Sequence, residues 1–377
     1  MALTPASIPA ILAAQVAANP DRIVLRKKDR GIWKATTWSE LAARVREIGL
    51  ALKATGFHPG DAACVLAETR PEWAYIDLAV LGSGGISGGI QPEDDPEAVG
   101  QALRESRCRV LFVENEEQLD KVLLVRDRCP ALQRIVVIDM KGLRDFADPM
   151  CDGLRTFVAG GAGQADWDAG LATITSEQPA VLLQGGRGRT LTHGDVLHLI
   201  ANARSLLPLR DGDERLALLP MCHMMERVLG LYLSLDTGVI SNYLENPDTV
   251  VENLQELQPT VLGTDLQVWQ LLHARTRDAA AGATHIQRVL YRWAIGAGNR
   301  GGPEALLARL LVLRAVRREL GLSRLRVAYM GGSKPGADIE RWATALGLTI
   351  RHIDGQAARG PALDARYQAL MQEAYST

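Results

Sequence analysis

The hydrophobic positions begin in a helical period. Ile8, Leu12 and Val16 share one side of a helix predicted over Ile8–Ala18, which Asn19-Pro20 stops. Ile23–Arg26 and Gly31–Thr36 read as two short strands. The Thr37-Trp38-Ser39-Glu40 segment offers an N-cap to a helix reaching about Thr55, and Gly56 suits its left-handed end. From Gly60 short apolar runs alternate with amphipathic stretches. Strands are predicted at Ala62–Ala67, Gly88–Gln91, Val110–Val113 and Arg134–Ile138. Helices are predicted between them at Pro71–Leu81, Pro96–Ser106 and Glu116–Arg128. That alternation is the signature of a doubly wound, mostly parallel sheet.

Residues 140–175 are rich in Gly and Asp without a period and read as irregular surface structure. A second α/β series follows. Its strands are predicted at Val181–Leu183, Arg215–Leu219, Gly238–Ser241, Thr260–Gly263, Arg326–Tyr329 and Thr349–His352. Its helices are predicted at His193–Leu206, Arg227–Leu235, Thr249–Leu257 and Pro303–Leu320. The arginines of the last helix are expected on a solvated face. Thr192 caps the helix that His193 opens, which leaves His193 exposed in this reading.

Composition adds mainly exclusions. The chain has 377 residues, 47% hydrophobic and 23% charged, with a formal net charge of -2 and no basic block. These values fit a globular protein and give no nucleic-acid footprint. Cys64, Cys108, Cys129, Cys151 and Cys222 form no C-x-x-C pair, which argues against a disulfide framework or a zinc site and for free buried thiols. The longest apolar stretches, such as Val228–Leu235, stop short of a membrane span, and no secretory leader is apparent. A soluble, cytoplasmic protein is expected.

Five segments, in order, resemble the AMP-forming long-chain fatty acyl-CoA synthetases of the adenylate-forming superfamily. They are LAVLGSGGISGGIQP (78–92), RVLFVENEEQLDKVL (109–123), LLPMCHMMERVLGLYLSL (218–235), PTVLGTDLQVWQLLHA (259–274) and LRVAYMGGSKPG (325–336). The resemblance runs from about residue 8 to Pro361. It implies two doubly wound, mostly parallel sheets with flanking helices, as in the N-terminal domain of these enzymes. The division it implies is a first α/β subdomain over 60–205 and a second from 8–58 plus 206–361. The family's small C-terminal domain, with its catalytic lysine, has no counterpart in the sequence. A tail helix is expected over 362–377.

The same resemblance exposes departures from the family pattern. Where these enzymes carry a phosphate loop rich in Ser, Thr and Gly, this chain reads Gln184-Gly185-Gly186-Arg187-Gly188-Arg189-Thr190, about five residues shorter. Gly185, Gly186, Arg187, Gly188 and Thr190 fit either a residual anion cradle or a plain tight turn. The family's aromatic-Gly-x-Thr-Glu turn is here Asp354-Gly355-Gln356-Ala357-Ala358. Asp354 offers no face to stack on adenine, and Ala358 replaces the Mg²⁺-binding carboxylate. The adenine-lining Gly-Gly-Ala-Pro reads Gly331-Gly332-Ser333-Lys334. Pro-Arg-x-Trp-Glu keeps only Trp269, which reads as a packing residue. His223 falls where the resemblance implies a residue beside the acyl pocket, and lining or simple packing both fit. Cys222 and His223 are neighbours whose side chains should diverge, so a thiol–imidazole pair is not expected. Glu226-Arg227 reads as a structural ion pair. The Gly cluster 82–89 fails the dinucleotide spacing at Ser87.

The functional expectation is therefore an acyl-CoA synthetase-like protein without adenylation activity. It has no catalytic residue, no metal site and no resident cofactor. A vestigial nucleotide or acyl pocket is expected at His223, Gly331, Gly332, Ser333 and Gly355. The expected partners are a fatty acyl chain or acyl-CoA, a protein or a second copy, with neither nucleic acid nor a membrane-spanning segment. Two alternatives stay open: an active ligase component completed by another chain, and a structural or regulatory subunit with a collapsed cleft.

Overall fold

The computed structural model describes residues 5–162, 167–183, 189–331 and 334–353. The described strands are β1 (Ile23–Asp29), β2 (Ile32–Thr37), β3 (Ala62–Leu66), β4 (Ile86–Ile90), β5 (Cys108–Val113), β6 (Arg134–Val137) and β7 (Cys151–Gly153). They continue as β8 (Pro179–Leu182), β9 (Thr190–Thr192), β10 (Glu214–Ala217), β11 (Ile240–Tyr243), β12 (Val261–Thr264), β13 (Val327–Met330) and β14 (Ile350–His352). They form two seven-stranded, mostly parallel sheets, as the sequence pattern predicts. The expected tail helix lies outside the described residues.

By their internal contacts the residues form two units. The first holds residues up to Lys27, Trp33–Ala203 and Pro220–Gly238; the second holds Lys28–Ile32, Arg204–Leu219 and the residues from Val239 onward. This differs from the expected division, which joined 8–58 and 220–238 to the later series. The reason is packing. The helices Ile8–Ala18 and Trp38–Ala54 both lie on the helix Pro71–Gly82 of the first unit, and an ion pair anchors the 220–238 segment to that same helix.

In the first unit the sheet order is β7-β6-β5-β3-β4-β8-β9, with only β9 antiparallel to its neighbour. Central β3 is buried at every position and pairs in parallel with β4 and β5. Leu66, Leu111, Val113 and Ile135 pack the core below the helices Pro96–Ser106 and Glu116–Leu123. Thr37 and Glu40 form a complete capping box at the start of Trp38–Ala54. The region 140–175 is more ordered than its composition predicts. It contributes β7 and the helices Leu154–Gly160 and Trp167–Leu171, too short to display a period. Trp167 wedges between two helices at their glycines. A Cβ on Gly49 or Gly82 would fall 1.9 or 2.5 Å from its ring, so neither position tolerates a larger residue.

The helix Pro71–Gly82 is enclosed along nearly its whole length, yet it carries Asp77 at 0% exposure. Arg227, also at 0%, supplies the counter-charge: one Nη donates to Asp77 Oδ1 at 2.5 Å, to the Ser87 carbonyl at 3.3 Å and to Tyr232 Oη at 3.2 Å. Ser87 Oγ and Tyr232 Oη also donate to the carboxylate, at 2.6 and 2.7 Å. The predicted helix 227–235 is wound in the wider π form over Glu226–Tyr232. Residues five apart diverge on an α-helix; π winding turns Arg227 and Tyr232 towards one carboxylate. Arg227 therefore does form a structural ion pair, and Asp77 is the partner in this network.

His193 corrects another expectation. Thr192 and Asp195 cap its helix reciprocally, but the imidazole is fully buried and its Nδ1 accepts from the Ile8 N–H at 3.4 Å. Burial pushes its pKa down to about 4, against a small opposing pull from Asp77.

In the second unit, β14-β13-β12-β10-β11 run in parallel. Asp213 ties the amino ends of three strands together. It accepts from the Arg210 N–H at 2.7 Å, from Thr260 Oγ1 at 2.8 Å and from the Arg326 guanidinium. Three further helices, Leu266–Gly282, His285–Arg300 and Ala337–Ala345, were not anticipated from the pattern. The predicted helix 303–320 is present but interrupted by a π turn over Arg309–Leu313. Its arginines are not uniformly solvated. Arg309 donates to the carbonyls of Thr344 and Ala345, and Arg317 to those of Leu322 and Leu325.

Two outcomes test this account. Breaking the buried pair leaves an uncompensated charge, so Asp77→Ala or Arg227→Met should each cost about 3–5 kcal/mol in urea unfolding. The double variant should cost less than the sum of the two, and single losses below about 1 kcal/mol would mean that water reaches the pair.

Between pH 6.5 and about 4 the unfolded chain protonates His193 while the folded one does not. Its contribution is thus complete above pH 6.5 and is lost as pH falls towards 4, by about 3 kcal/mol in all. His193→Gln should flatten that part of the stability–pH curve. An unchanged slope would place the acid sensitivity elsewhere.

Candidate functional site

Of the positions that the resemblance implies, Thr190, His223 and Gly331 are described. Gly185, Gly186, Arg187, Gly188, Gly332, Ser333 and Gly355 lie outside the described residues. The flanks of the shortened loop are clear. β8 and β9 pair antiparallel, with Leu182 opposite Thr190, and the Leu183 N–H donates to the Arg189 carbonyl at 3.0 Å. Five residues, 184–188, separate Leu183 from Arg189, within the range of a hairpin connection. Thr190 is a ladder residue of that hairpin.

His223 sits in the turn Pro220–His223, closed by its N–H on the Pro220 carbonyl at 3.0 Å, just before the π-wound helix. The segment is held in the first unit by the Met221 N–H on Thr69 Oγ1 and by close backbone packing of Cys222. A Cβ on Gly89 would lie 2.7 Å from Cys222 Cα. Burial raises the Cys222 thiol to about 12, so it is an un-ionised packing group. Burial lowers the His223 pKa, opposed by Glu93, and favours its neutral imidazole. A neutral, half-buried imidazole can donate or accept one hydrogen bond, but it carries no charge to attract a phosphate.

In the second unit, β12, β13 and β14 end in register, with Thr264 opposite Met330 and Met330 opposite His352. The carboxyl edge of a parallel sheet is where open α/β folds bind ligands. Gly331 follows β13 there and is buried; Ile353, also buried, follows β14. The two segments that the resemblance assigns to the nucleotide therefore leave adjacent strands at one edge. Beside them, Thr264 Oγ1 is buried without a hydrogen-bond partner. The Tyr329 ring lies across Gly263, where a Cβ would fall 2.1 Å from Cζ. Sequence reading missed Thr264 and Tyr329; only strand register brings them to this edge. Trp269 is fully buried, as its packing role requires.

Each unit also holds an apolar cavity. In the first, of about 470 Å³, Leu12, Val16, Val45 and Trp167 form the walls, and the Arg46–Asp168 pair at 3.2 Å lies on the lining. In the second, of about 370 Å³, Thr276, Tyr291, Val312 and Val316 form the walls. Neither is lined by His223, Gly331 or Thr190. Among the described residues no cluster of His, Cys, Asp and Glu is arranged to hold a metal ion, and no helix is long and apolar enough to cross a membrane. All five cysteines are free.

Comparison with known proteins agrees with this architecture. The long-chain-fatty-acid–CoA ligase FadD15 of Mycobacterium tuberculosis is 28% identical over 351 residues, spanning 88% of this chain and 57% of the relative. The long-chain-fatty-acid–CoA ligase ACSBG2 of Xenopus laevis is 23% identical over 388 residues, spanning 95% of this chain and 52% of the relative. The chain thus spans just over half the length of these curated relatives. The A domain of carboxylic acid reductase from Segniliparus rugosus, solved with AMP and a co-purified carboxylic acid, superposes with a TM-score of 0.70 at 16% identity, over 93% of this chain and 60% of that one. The N-terminal domain of FACL13 from Mycobacterium tuberculosis gives 0.65 at 15%, over 94% and 77%. The profile of the AMP-binding enzyme family matches residues 12–169 and 187–357. On that match and the two sheets described above, the chain belongs to the AMP-binding enzyme family, among its acyl-CoA synthetase-like members.

Proposed function

We propose that this chain is an acyl-CoA synthetase-like protein that has lost adenylation activity and retains the binding of an acyl chain or acyl-CoA. The observation that carries the proposal is the run Asp354-Gly355-Gln356-Ala357-Ala358. By the family resemblance, an aromatic, a Thr and a Glu belong at its first, fourth and fifth positions. Mg²⁺ takes hard oxygen ligands and offsets phosphate charge, and a methyl group at Ala358 supplies neither. Ala357 removes a hydroxyl donor. Asp354 offers no aromatic face on which an adenine could stack. The residues present do not fit Mg·ATP. The shortened loop before Thr190 points the same way, with one hydroxyl in place of several.

An acyl ligand depends on other physics. Its affinity comes from apolar area, at about 0.8 kcal/mol per buried CH₂, and survives the loss of phosphate donors. The curated relatives are named as long-chain-fatty-acid–CoA ligases, which supports a long acyl group as the ligand class. The five free thiols suit a reducing compartment such as the cytoplasm.

Calorimetry of the purified protein with Mg·ATP should give no saturable heat at millimolar nucleotide, and a micromolar dissociation constant would overturn the loss of the nucleotide site. In a separate measurement, a fluorescent long-chain fatty acid should bind and be displaced by unlabelled acyl chains. Absence of saturable binding there would remove the acyl half of the proposal and leave the nucleotide half standing.

A further inference from the structure

The helix Ile8–Ala18 is apolar on every side. Its sequence, IPAILAAQVAA, has Gln15 as its one polar side chain, yet it buries only Ile8, Pro9, Ile11 and Leu12. A helix that is hydrophobic all round is normally enclosed. Part of the surface left over faces the cavity of about 470 Å³ in the first unit, where Ala13 and Ala17 share the lining with Ala42 and Ala43 of the helix Trp38–Ala54. Small side chains on both helices leave this space open, and the buried Leu12, Val45, Leu78 and Trp167 give it an apolar wall. Its volume falls among those of small-molecule sites, roughly 300–1,000 Å³.

The polar groups on the lining decide what fits. Ser39 Oγ is committed to the Pro20 carbonyl at 2.9 Å. Arg46 and Asp168 are the two charged side chains, paired at 3.2 Å but exposed to 50% and 80%. Such a surface pair contributes about 0–1 kcal/mol and exchanges its partner readily. Asp168 is the more exposed member and can turn to water. A guanidinium offers five donors, and among the described residues that of Arg46 makes no other hydrogen bond. A second cation stands nearby, with Lys53 Nζ 5.9 Å over the Trp167 ring. A cationic ligand would face both, whereas an anionic head beside an apolar body meets Arg46 and the wall together. The site is separate from the carboxyl edges of the sheets: the helix Pro71–Gly82 leads back from β3 to the start of β4, and Leu78 lies in its second half.

We infer that the cavity between the helices Ile8–Ala18 and Trp38–Ala54 is a binding site for a small amphiphile with one anionic head, held by Arg46 at the opening and by apolar contact with Leu12, Val45, Leu78 and Trp167 inside. Apolar burial supplies the affinity, at about 0.8 kcal/mol per CH₂, and Arg46 selects for charge. No reaction takes place there. The inference does not depend on what the strand edges bind.

Two probes of equal length test it, 10-bromodecanoate and its uncharged counterpart 10-bromodecanol. Crystals grown with the carboxylate should show an anomalous bromine peak between Leu12, Val45 and Trp167. In calorimetry, Ala42→Leu should fill the cavity, and the heat it removes from the wild-type titration is the binding at this site. Heat that persists in the variant belongs elsewhere, so the acyl site proposed above is tested apart from this one. The carboxylate should bind the cavity about fivefold more tightly than the alcohol, and Arg46→Gln should erase that preference while leaving the alcohol unchanged. Ala13→Phe fills the same space from the opposite helix and serves should Ala42→Leu misfold; both keep good helix formers or an exposed position, so thermal melting should be unchanged. Bromine density only at other places, titrations that neither filling variant alters, or equal affinity for acid and alcohol would overturn the inference. Density in the cavity without saturable heat at millimolar probe would mean binding at crystal concentration only, and would overturn it too.

Discussion

A guanidinium cannot be enclosed in protein without a counter-charge and hydrogen-bond acceptors, and that requirement organises the first unit. Arg227 and Asp77 are both fully buried, 150 positions apart in sequence. Left alone, either would cost several kcal/mol in desolvation. Together with Ser87 and Tyr232 they satisfy most of each other's polar atoms; Arg227 Nε is the exception. Several features follow from that pairing. The apolar helix Pro71–Gly82 can hold a carboxylate at its centre. The segment after Pro220 must return to this helix and not stay with the sheet it has just left. The chain over Glu226–Tyr232 takes the wider π winding that sets Arg227 and Tyr232 on one carboxylate.

This pairing also marks where sequence reading succeeds and where it stops. Strand positions were legible because a parallel strand buried on both faces must be a short apolar run, as Ala62–Leu66 and Val110–Val113 are. Helix starts were legible where Thr37 and Thr192 provide caps. Partition into units was not, because alternation along the chain says nothing about which helix covers which face. Asp77 was the available signal: a carboxylate in the middle of the apolar run WAYIDLAVL cannot be buried unpaired, so a distant cation had to exist. The burial of His193 gave no such signal, since its helix start looks the same exposed or enclosed. The stretch 140–175 hid its elements because five- and seven-residue helices are shorter than the window over which a period can be recognised.

At the candidate site, legibility followed the same division. Local phrases located Gly331 and the segment beginning at Asp354, and strand register then set their anchors, Met330 and His352, opposite one another. The edge acquires further character from residues with no motif. Thr264 brings an unpartnered hydroxyl, and Tyr329 fills the space that Gly263 leaves. His223, assigned by phrase alone, proves to be a weakly basic, half-buried imidazole next to an un-ionised thiol. Its environment favours packing or a neutral hydrogen bond over acid–base chemistry at neutral pH.

The contacts that hold these sheets together belong to residues other than those the family resemblance assigns to nucleotide. Arg227–Asp77, Cys222 against Gly89, Asp213 with Thr260 and Arg326, and Trp167 between Gly49 and Gly82 are all interior or interstrand interactions. Packing of this kind is sensitive to a single methylene and constrains sequence strongly. Phosphate donors and metal ligands act at a ligand that the folded chain does not need for its own cohesion. A lineage can therefore exchange Thr and Glu for Ala357 and Ala358, and shorten the loop at 184–188, while every contact just named keeps its partners. The adenylate-forming architecture of this chain is evidence about its core, and what it binds must be argued from the residues at the carboxyl edges of its strands.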